Sequence, residues 1–234
     1  MEKLYIVIPA YNEEVMIRSV IEHWYPVVEE IGVQSRLVII DDGSRDDTYR
    51  IVRECMQQYP QLIALTKENQ GHGPTVRFGY EYAVEAGADY VFQTDSDGQT
   101  LAEEFPEFWK RRNEGAMIIG HRNHREDGWG RVAVTKVLKL VIGLIFHVNV
   151  TDANTPYRLM QADALKKVLP IIPKDYNLSN VLVSVIFVKK DMGVKFLPIT
   201  FRPRQGGVNS INVKKIFKLG VRALSDFHKL SKVI

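Results

Sequence analysis

The sequence predicts an α/β fold, a Rossmann-like, mostly parallel sheet flanked by helices. Three observations carry this. Short apolar runs recur through the first half of the chain, helical patterns separate them, and each run ends on polar or acidic residues. Leu4 to Ile8 is a continuous apolar run, the form of a strand buried on both faces. Asn12 can cap a helix whose first turn holds Glu13 and Glu14, where the dipole favours negative charge. Leu37 to Ile40 is the second strand, and a helix starts at Asp46 or Asp47 and runs to about Gln58. Leu62 to Leu65 is the third strand; Gly73-Pro74 opens a helix that Gly87 stops. Tyr90 to Gln93 is the fourth strand and Met117 to Ile119 a fifth. The second half is less regular, with helices near 131–147, 162–169 and 178–191, a strand near Val194 to Ile199, and a basic amphipathic helix from Asn212.

Composition narrows the classes. A chain of 234 residues suffices for one domain with a sizeable core. A formal net charge of +3 is too weak to argue for a nucleic-acid partner, and none is expected. The single cysteine, Cys55, excludes an internal disulfide framework and fits a reducing compartment. The start is acidic by Glu13 and carries only a short apolar run, so no secretory signal is expected. The most apolar stretch, Val132 to Val150, is interrupted by Lys136, Lys139 and His147, short of the ~20 apolar residues of a membrane span. It reads as a helix that is buried or lies against something apolar.

In an open parallel sheet, ligands bind beyond the carboxyl ends of the strands. Those ends are Pro9-Ala10-Tyr11-Asn12-Glu13-Glu14, then Asp41-Asp42-Gly43-Ser44, then the stretch with Lys67, Asn69, Gly71 and Gly73, then Asp95-Ser96-Asp97-Gly98-Gln99, and finally Gly120-His121-Arg122. Asp95 and Asp97, one residue apart at a strand end, can face one cleft, with Gln99 adding an amide oxygen. Oxygen ligands of this kind suit Mg²⁺ or Mn²⁺. The same residue types also make ordinary turns; the preceding strand and the other acidic ends favour the metal. Asp41-Asp42 reads as a turn before a capped helix or as a carboxylate pair for a base or ribose. Tyr11 can pack on a base, and Glu13 can bond a ribose or serve as a first-turn acid.

VIPAYNEE at 7–14, DDGSRDDT at 41–48, NQGHGPTVRFGYEYA at 69–83, DSDGQ at 95–99, GHR at 120–122, DANTPYRLM at 152–160 and FRPRQGGVNS at 201–210 resemble the inverting glycosyltransferase family 2, with its GT-A fold. Within the family the set is most similar to the dolichol- or polyprenyl-phosphate sugar synthases. The resemblance implies transfer of a sugar from a UDP- or GDP-sugar to an acceptor. Pro9, Tyr11, Glu13, Asp41, Asp42 and Gly71 would bind the nucleotide. Asp95 and Asp97 would hold metal and diphosphate, with Gln99 as a further ligand. Arg122 would approach the donor phosphates, and Arg202 and Arg204 would lie on a loop that covers the site or meets an anionic acceptor. Residues 1–122 would form the nucleotide-sugar half of a single 1–234 domain, 123–210 the acceptor side and 211–234 the C-terminal helix.

Transfer to a hydroxyl needs a base, and Asp175 is the carboxylate available before the late helix. A phosphate acceptor is already largely anionic at neutral pH, its second pKa lying near ~6, and needs cations instead. Arg131, Arg202 and Arg204 are the candidates. The expected acceptor is therefore a lipid phosphate, with a glycan hydroxyl, or a homologue that binds nucleotide or glycan without turnover, as the alternatives; a cytoplasmic protein is expected, whose basic tail packs on its own domain or lies on a membrane surface. A nicotinamide oxidoreductase would show G-x-G-x-x-G where PAYNEE stands, and a nucleotidyltransferase a glycine-rich basic loop; neither is present.

Overall fold

Side chains of the first strand, β1 (Leu4–Ala10), alternate between two hydrophobic layers. Leu4, Ile6 and Ile8 enter one layer, and Tyr5 and Val7 the other. The period of two along a strand makes this division. It is why the run had to be apolar throughout: both faces are covered. The computed structural model of the chain describes residues 2–125, 129–204 and 226–232, and the side chains among them outside 123–136.

The other strands are β2 (Arg36–Asp41), β3 (Leu62–Thr66), β4 (Tyr90–Thr94), β5 (Met117–Arg125), β6 (Tyr157–Gln161) and β7 (Val194–Phe201). They form one sheet in the order β3-β2-β1-β4-β6-β5-β7. β6 runs antiparallel to both neighbours, whereas the β1–β2, β1–β4, β2–β3 and β5–β7 pairs are parallel. The helices are α1 (Ile17–Ile31), α2 (Thr48–Cys55), α3 (His72–Glu85), α4 (Phe105–Lys110), α5 (Trp129–Phe146), α6 (Ala162–Val168) and α7 (Ser179–Lys189). Residues of α1, α2 and α4 pack in the layer with Leu4, and those of α3, α5, α6 and α7 in the layer with Val7. This is the α/β, mostly parallel arrangement expected.

The first helix departs from expectation. It starts at Ile17, so Asn12 does not cap it and Glu13 and Glu14 are not in its first turn. Asn12 instead adopts a left-handed φ of 54°, a conformation asparagine tolerates better than most residues. Its side-chain oxygen accepts from the Arg45 N–H at 2.9 Å, and its own N–H donates to Ser44 Oγ at 2.9 Å. The segment after β1 is thus spent on bridging to the loop after β2, which holds both at the carboxyl edge of the sheet.

Two elements were not anticipated. α4 is short and follows a 3-10 turn. β6 carries Arg158, fully buried, where an apolar residue is the norm. The C-terminal helix expected from Asn212 lies largely outside the described residues. Within 226–230 the chain is helical, and Phe227 packs edge-on against Phe146 with ring centroids 5.3 Å apart.

Candidate active site

The carboxyl ends of β1, β2 and β4 meet around a cavity of about 690 Å³. Loop geometry on its floor comes from Asp42. Its Oδ1 accepts from Lys67 Nζ at 2.5 Å and from the Gln70 N–H at 3.0 Å, and its Oδ2 from the Gly71 N–H at 2.8 Å. These bonds curl residues 67–71 and bring the N-terminus of α3 to the cavity wall. Gly71 sits there at φ +94°, where a side chain would be strained. Gly73 in the first turn of α3 leaves room for the backbone of Tyr176 and Asn177, which a Cβ would strike. Asp41 faces the other way. Its carboxylate accepts from the Ser44 N–H at 3.2 Å and the Thr66 hydroxyl at 2.8 Å, and it does not line the cavity.

Asp95 and Asp97 both line the cavity, with Ser96 between them. Burial first, and then the charge of Asp95, push the Asp97 carboxyl up to about 6. The Gln99 N–H, at 3.2 Å from its Oδ1, works in the opposite direction. Asp95 Oδ1 is 2.9 Å from Gln93 Nε2 and 3.0 Å from His72 Nε2. Burial works to lower the His72 pKa, but the charge and hydrogen bond of Asp95 outweigh it and raise it. Two like charges held together at a strand end, only partly offset by Arg204 and His72, make a site that favours a cation.

Glu13 lines the same cavity. The Arg204 guanidinium donates to its Oε1, while Oε2 is buried with no hydrogen-bond partner among the described residues. Burial, reinforced by the charges of Asp97 and Asp46 and opposed by Arg204, pushes its pKa up to about 7. The ordinary value is 4.5. Between those two values the folded protein holds a proton that the unfolded chain has lost, so Glu13 makes folding less favourable as pH rises from 4.5 to 7. In the ligand-free protein, the stability difference between wild type and Glu13→Gln should therefore move by about 3 kcal/mol in favour of Gln across that window. Urea titrations of both proteins at the two ends of the window measure it; a pH-independent difference would contradict the burial of this carboxyl.

Of the other residues read from sequence, Pro9, Tyr11, Asp42, Gly71 and Arg204 line the cavity. Arg122 does not approach it. Its Nε and NH2 donate to the two oxygens of Asp152 at 2.7 and 2.8 Å, and the guanidinium lies 5.0 Å from the Phe201 ring centroid. Asp152 is thereby an anchor for its loop. Gln99 is buried and not part of the cavity lining. Its amide donates to the Arg202 carbonyl at 2.8 Å, and the Arg202 N–H donates back to the Gln99 carbonyl at 2.9 Å. This pairing ties β7 to the acidic loop through the Gln99 amide nitrogen and backbone. The Arg202 side chain is exposed, as is Asp175 in its turn, and neither lines the cavity. The Arg131 side chain lies outside those described. Conversely, His72, Thr75, Asn12, Asn69 and Ser96 line the cavity although the motif reading assigned them nothing.

The cavity lies where the order of the parallel strands reverses, between β1 and β4, the place at which an open α/β sheet binds its ligand. Residues 5–169 match the model of glycosyl transferase family 2. The chain belongs to that family and is a glycosyltransferase. Among solved structures it is similar to glucosyl-3-phosphoglycerate synthase from Mycobacterium tuberculosis. The form in complex with Mn²⁺, UDP-glucose and phosphoglyceric acid matches with TM-score 0.73 at 16% identity, over 99% of this chain and 80% of that one. The form with Mn²⁺, UDP and glucosyl-3-phosphoglycerate matches with TM-score 0.64 at 18% identity, over 99% and 79%. At these identities the likeness is one of fold.

Proposed function

We propose that this protein transfers a sugar, with inversion, from a nucleoside diphosphate sugar to a phosphate acceptor, with a divalent cation at Asp95 and Asp97. The observation that carries this is the acidic pair itself: Asp97 is half-buried beside Asp95 in a cavity large enough for a nucleotide sugar, and desolvation and the charge of Asp95 push its carboxyl up to about 6. The donor set fits Mg²⁺ or Mn²⁺. Among the described residues no third His, Cys, Asp or Glu completes a protein-only metal site. Two carboxylates are what these cations take when phosphate oxygens and water supply the remaining ligands. When bound, such a cation would offset the charge that develops on the departing diphosphate. The Mn²⁺ and UDP-sugar complexes of the structural relatives support the same donor and cation class.

The other groups have roles that follow from their positions. Glu13 offers the buried, unpartnered Oε2 to a ribose hydroxyl, which would satisfy an acceptor that otherwise costs stability. Tyr11, 41% exposed at the rim, offers its ring to the base. Arg204 stands beside both Glu13 and the acidic loop, where it can meet donor or acceptor phosphate.

The acceptor is read as a polyprenyl phosphate. Asp175, the carboxylate the sequence offers as a base, lies outside the cavity, and Asp152 is locked to Arg122. A phosphate monoester does not need one. Val137, Leu140 and Leu144, spaced to share one face of α5, are 60%, 63% and 66% exposed, an apolar face suited to a lipid chain. No described helix is long and apolar enough to cross a membrane. The test is a transfer assay with UDP- and GDP-sugars and Mn²⁺ or Mg²⁺, offering polyprenyl phosphate, phosphoglyceric acid and an oligosaccharide as acceptors. Product on polyprenyl phosphate alone is expected. Product on either of the others alone would overturn the lipid assignment, and turnover undiminished in chelator would overturn the cation.

A further inference from the structure

We propose that Asp95 is aimed by a buried chain of side chains, Tyr80–Asn180–Gln93, and that Gln93 and Asn180 are positioning residues for the cation that Asp95 holds. The inference rests on the reading of Asp95 given above. Tyr80 OH donates to Asn180 Oδ1 at 3.2 Å, Asn180 Nδ2 to Gln93 Oε1 at 3.1 Å, and Gln93 Nε2 to Asp95 Oδ1 at 2.9 Å. All three side chains are buried, at 0%, 3% and 0% exposure. The chain draws on α3, α7 and β4, so three packed elements converge on one carboxylate.

The polarity of the chain is forced from its end. A carboxylate only accepts, so Gln93 must turn its NH2 toward Asp95 and its oxygen toward Asn180. Asn180 must then present its NH2, which leaves its oxygen for Tyr80. Burial raises the Tyr80 pKa, which keeps the hydroxyl a donor. The Asn180 backbone is pinned as well, its carbonyl accepting from Arg158 NH1 at 2.7 Å. At the far end, the bonds from Gln93 and His72 both fall on Oδ1. Among the described residues nothing donates to Oδ2, so that oxygen is presented to the cavity. A flipped or missing link leaves Asp95 held by His72 alone, and partners of this kind typically change metal affinity by about 10- to 100-fold.

Mn²⁺ binding, followed by loss of the free-ion electron paramagnetic resonance signal with the protein alone and with UDP or GDP, tests this directly. Asn180→Leu should weaken Mn²⁺ about tenfold. Tyr80→Phe, which removes only the hydroxyl, should weaken it in the same direction by less. Val183→Ala, buried on α7 outside the chain, should lower the melting temperature without moving Mn²⁺ affinity. If Asn180→Leu does not fold, Tyr80→Phe decides alone. Unchanged Mn²⁺ affinity in the folded variants, with Asp95→Asn abolishing binding, overturns the chain and leaves the site standing. Unchanged Mn²⁺ binding in Asp95→Asn overturns the site reading, and the chain with it.

Discussion

In Asp97→Asn, metal-dependent turnover should fall on the order of a thousandfold, the loss of several kcal/mol of charge stabilisation, while the ligand-free protein becomes harder to unfold. The two effects have one cause. Asp97 ionises reluctantly because it is buried and because Asp95 is already charged. Above pH 6 the wild-type fold bears that cost, and a cation removes it. Asparagine removes it too, but without giving the cation anything to bind. At pH 8 the variant should gain about 2 kcal/mol over the ligand-free wild type, and the gain should vanish at pH 4, where the wild-type carboxyl is protonated. Denaturant titrations at both pH values, beside a donor-hydrolysis assay, separate the two effects. A variant that lost activity and stability together would show that Asp97 is held by something other than electrostatic need.

Replacing Arg158 with Met should be the most damaging change to the fold. The guanidinium is fully buried and its hydrogen bonds are to neutral groups. It donates to the carbonyls of Thr155 at 2.6 Å, Asn180 at 2.7 Å and Ala153 at 3.3 Å, and to Ser184 Oγ at 3.2 Å. Burial lowers its pKa, so the charge itself is expensive to keep, and Met would relieve that expense. The carbonyls stay buried, however, and lose their donors. Ser184 Oγ already donates toward Ala153 and Asn180, and its single proton cannot replace the fork of an arginine. A buried acceptor left without its donor costs about 1–3 kcal/mol, so the loss at these carbonyls together comes to about 3–5 kcal/mol. For a chain of this length that lowers the melting temperature by roughly 10 °C. A midpoint unchanged within a few degrees would mean that relief of the buried charge had offset the lost bonds.

Much of the sheet was legible because its parallel strands are covered on both faces and therefore read as unbroken apolar runs. Leu37–Ile40 and Tyr90–Phe92 are of this kind, and their flanking helices followed from the rhythm. β6 was not legible for the same reason reversed: YRLMQ places a charged residue in mid-strand, and its partners lie in other elements. At the site, the positions of Glu13, Asp95 and Asp97 followed from strand ends, since backbone topology alone delivers those residues to the edge. The direction of a side chain does not follow from topology. Arg122 stands at a sheet edge, but Asp152, thirty positions away, turns it aside. Asp41 and Asp42 are neighbours with opposite outlooks, decided by whether Thr66 or Gly71 supplies the donor. His72 precedes the Gly73-Pro74 pair from which the helix was read, and only the folded chain brings it to 3.0 Å from Asp95.

The reciprocal bonds between Gln99 and Arg202 join points 103 residues apart. They act as a hinge pin between the turn that follows β4 and the strand that exits the sheet last. A force applied to either strand end is transmitted to the other, because neither can slide without stretching both bonds. Arg204 lies two residues beyond this anchor, so its reach toward Glu13 starts from a point tied to the acidic turn.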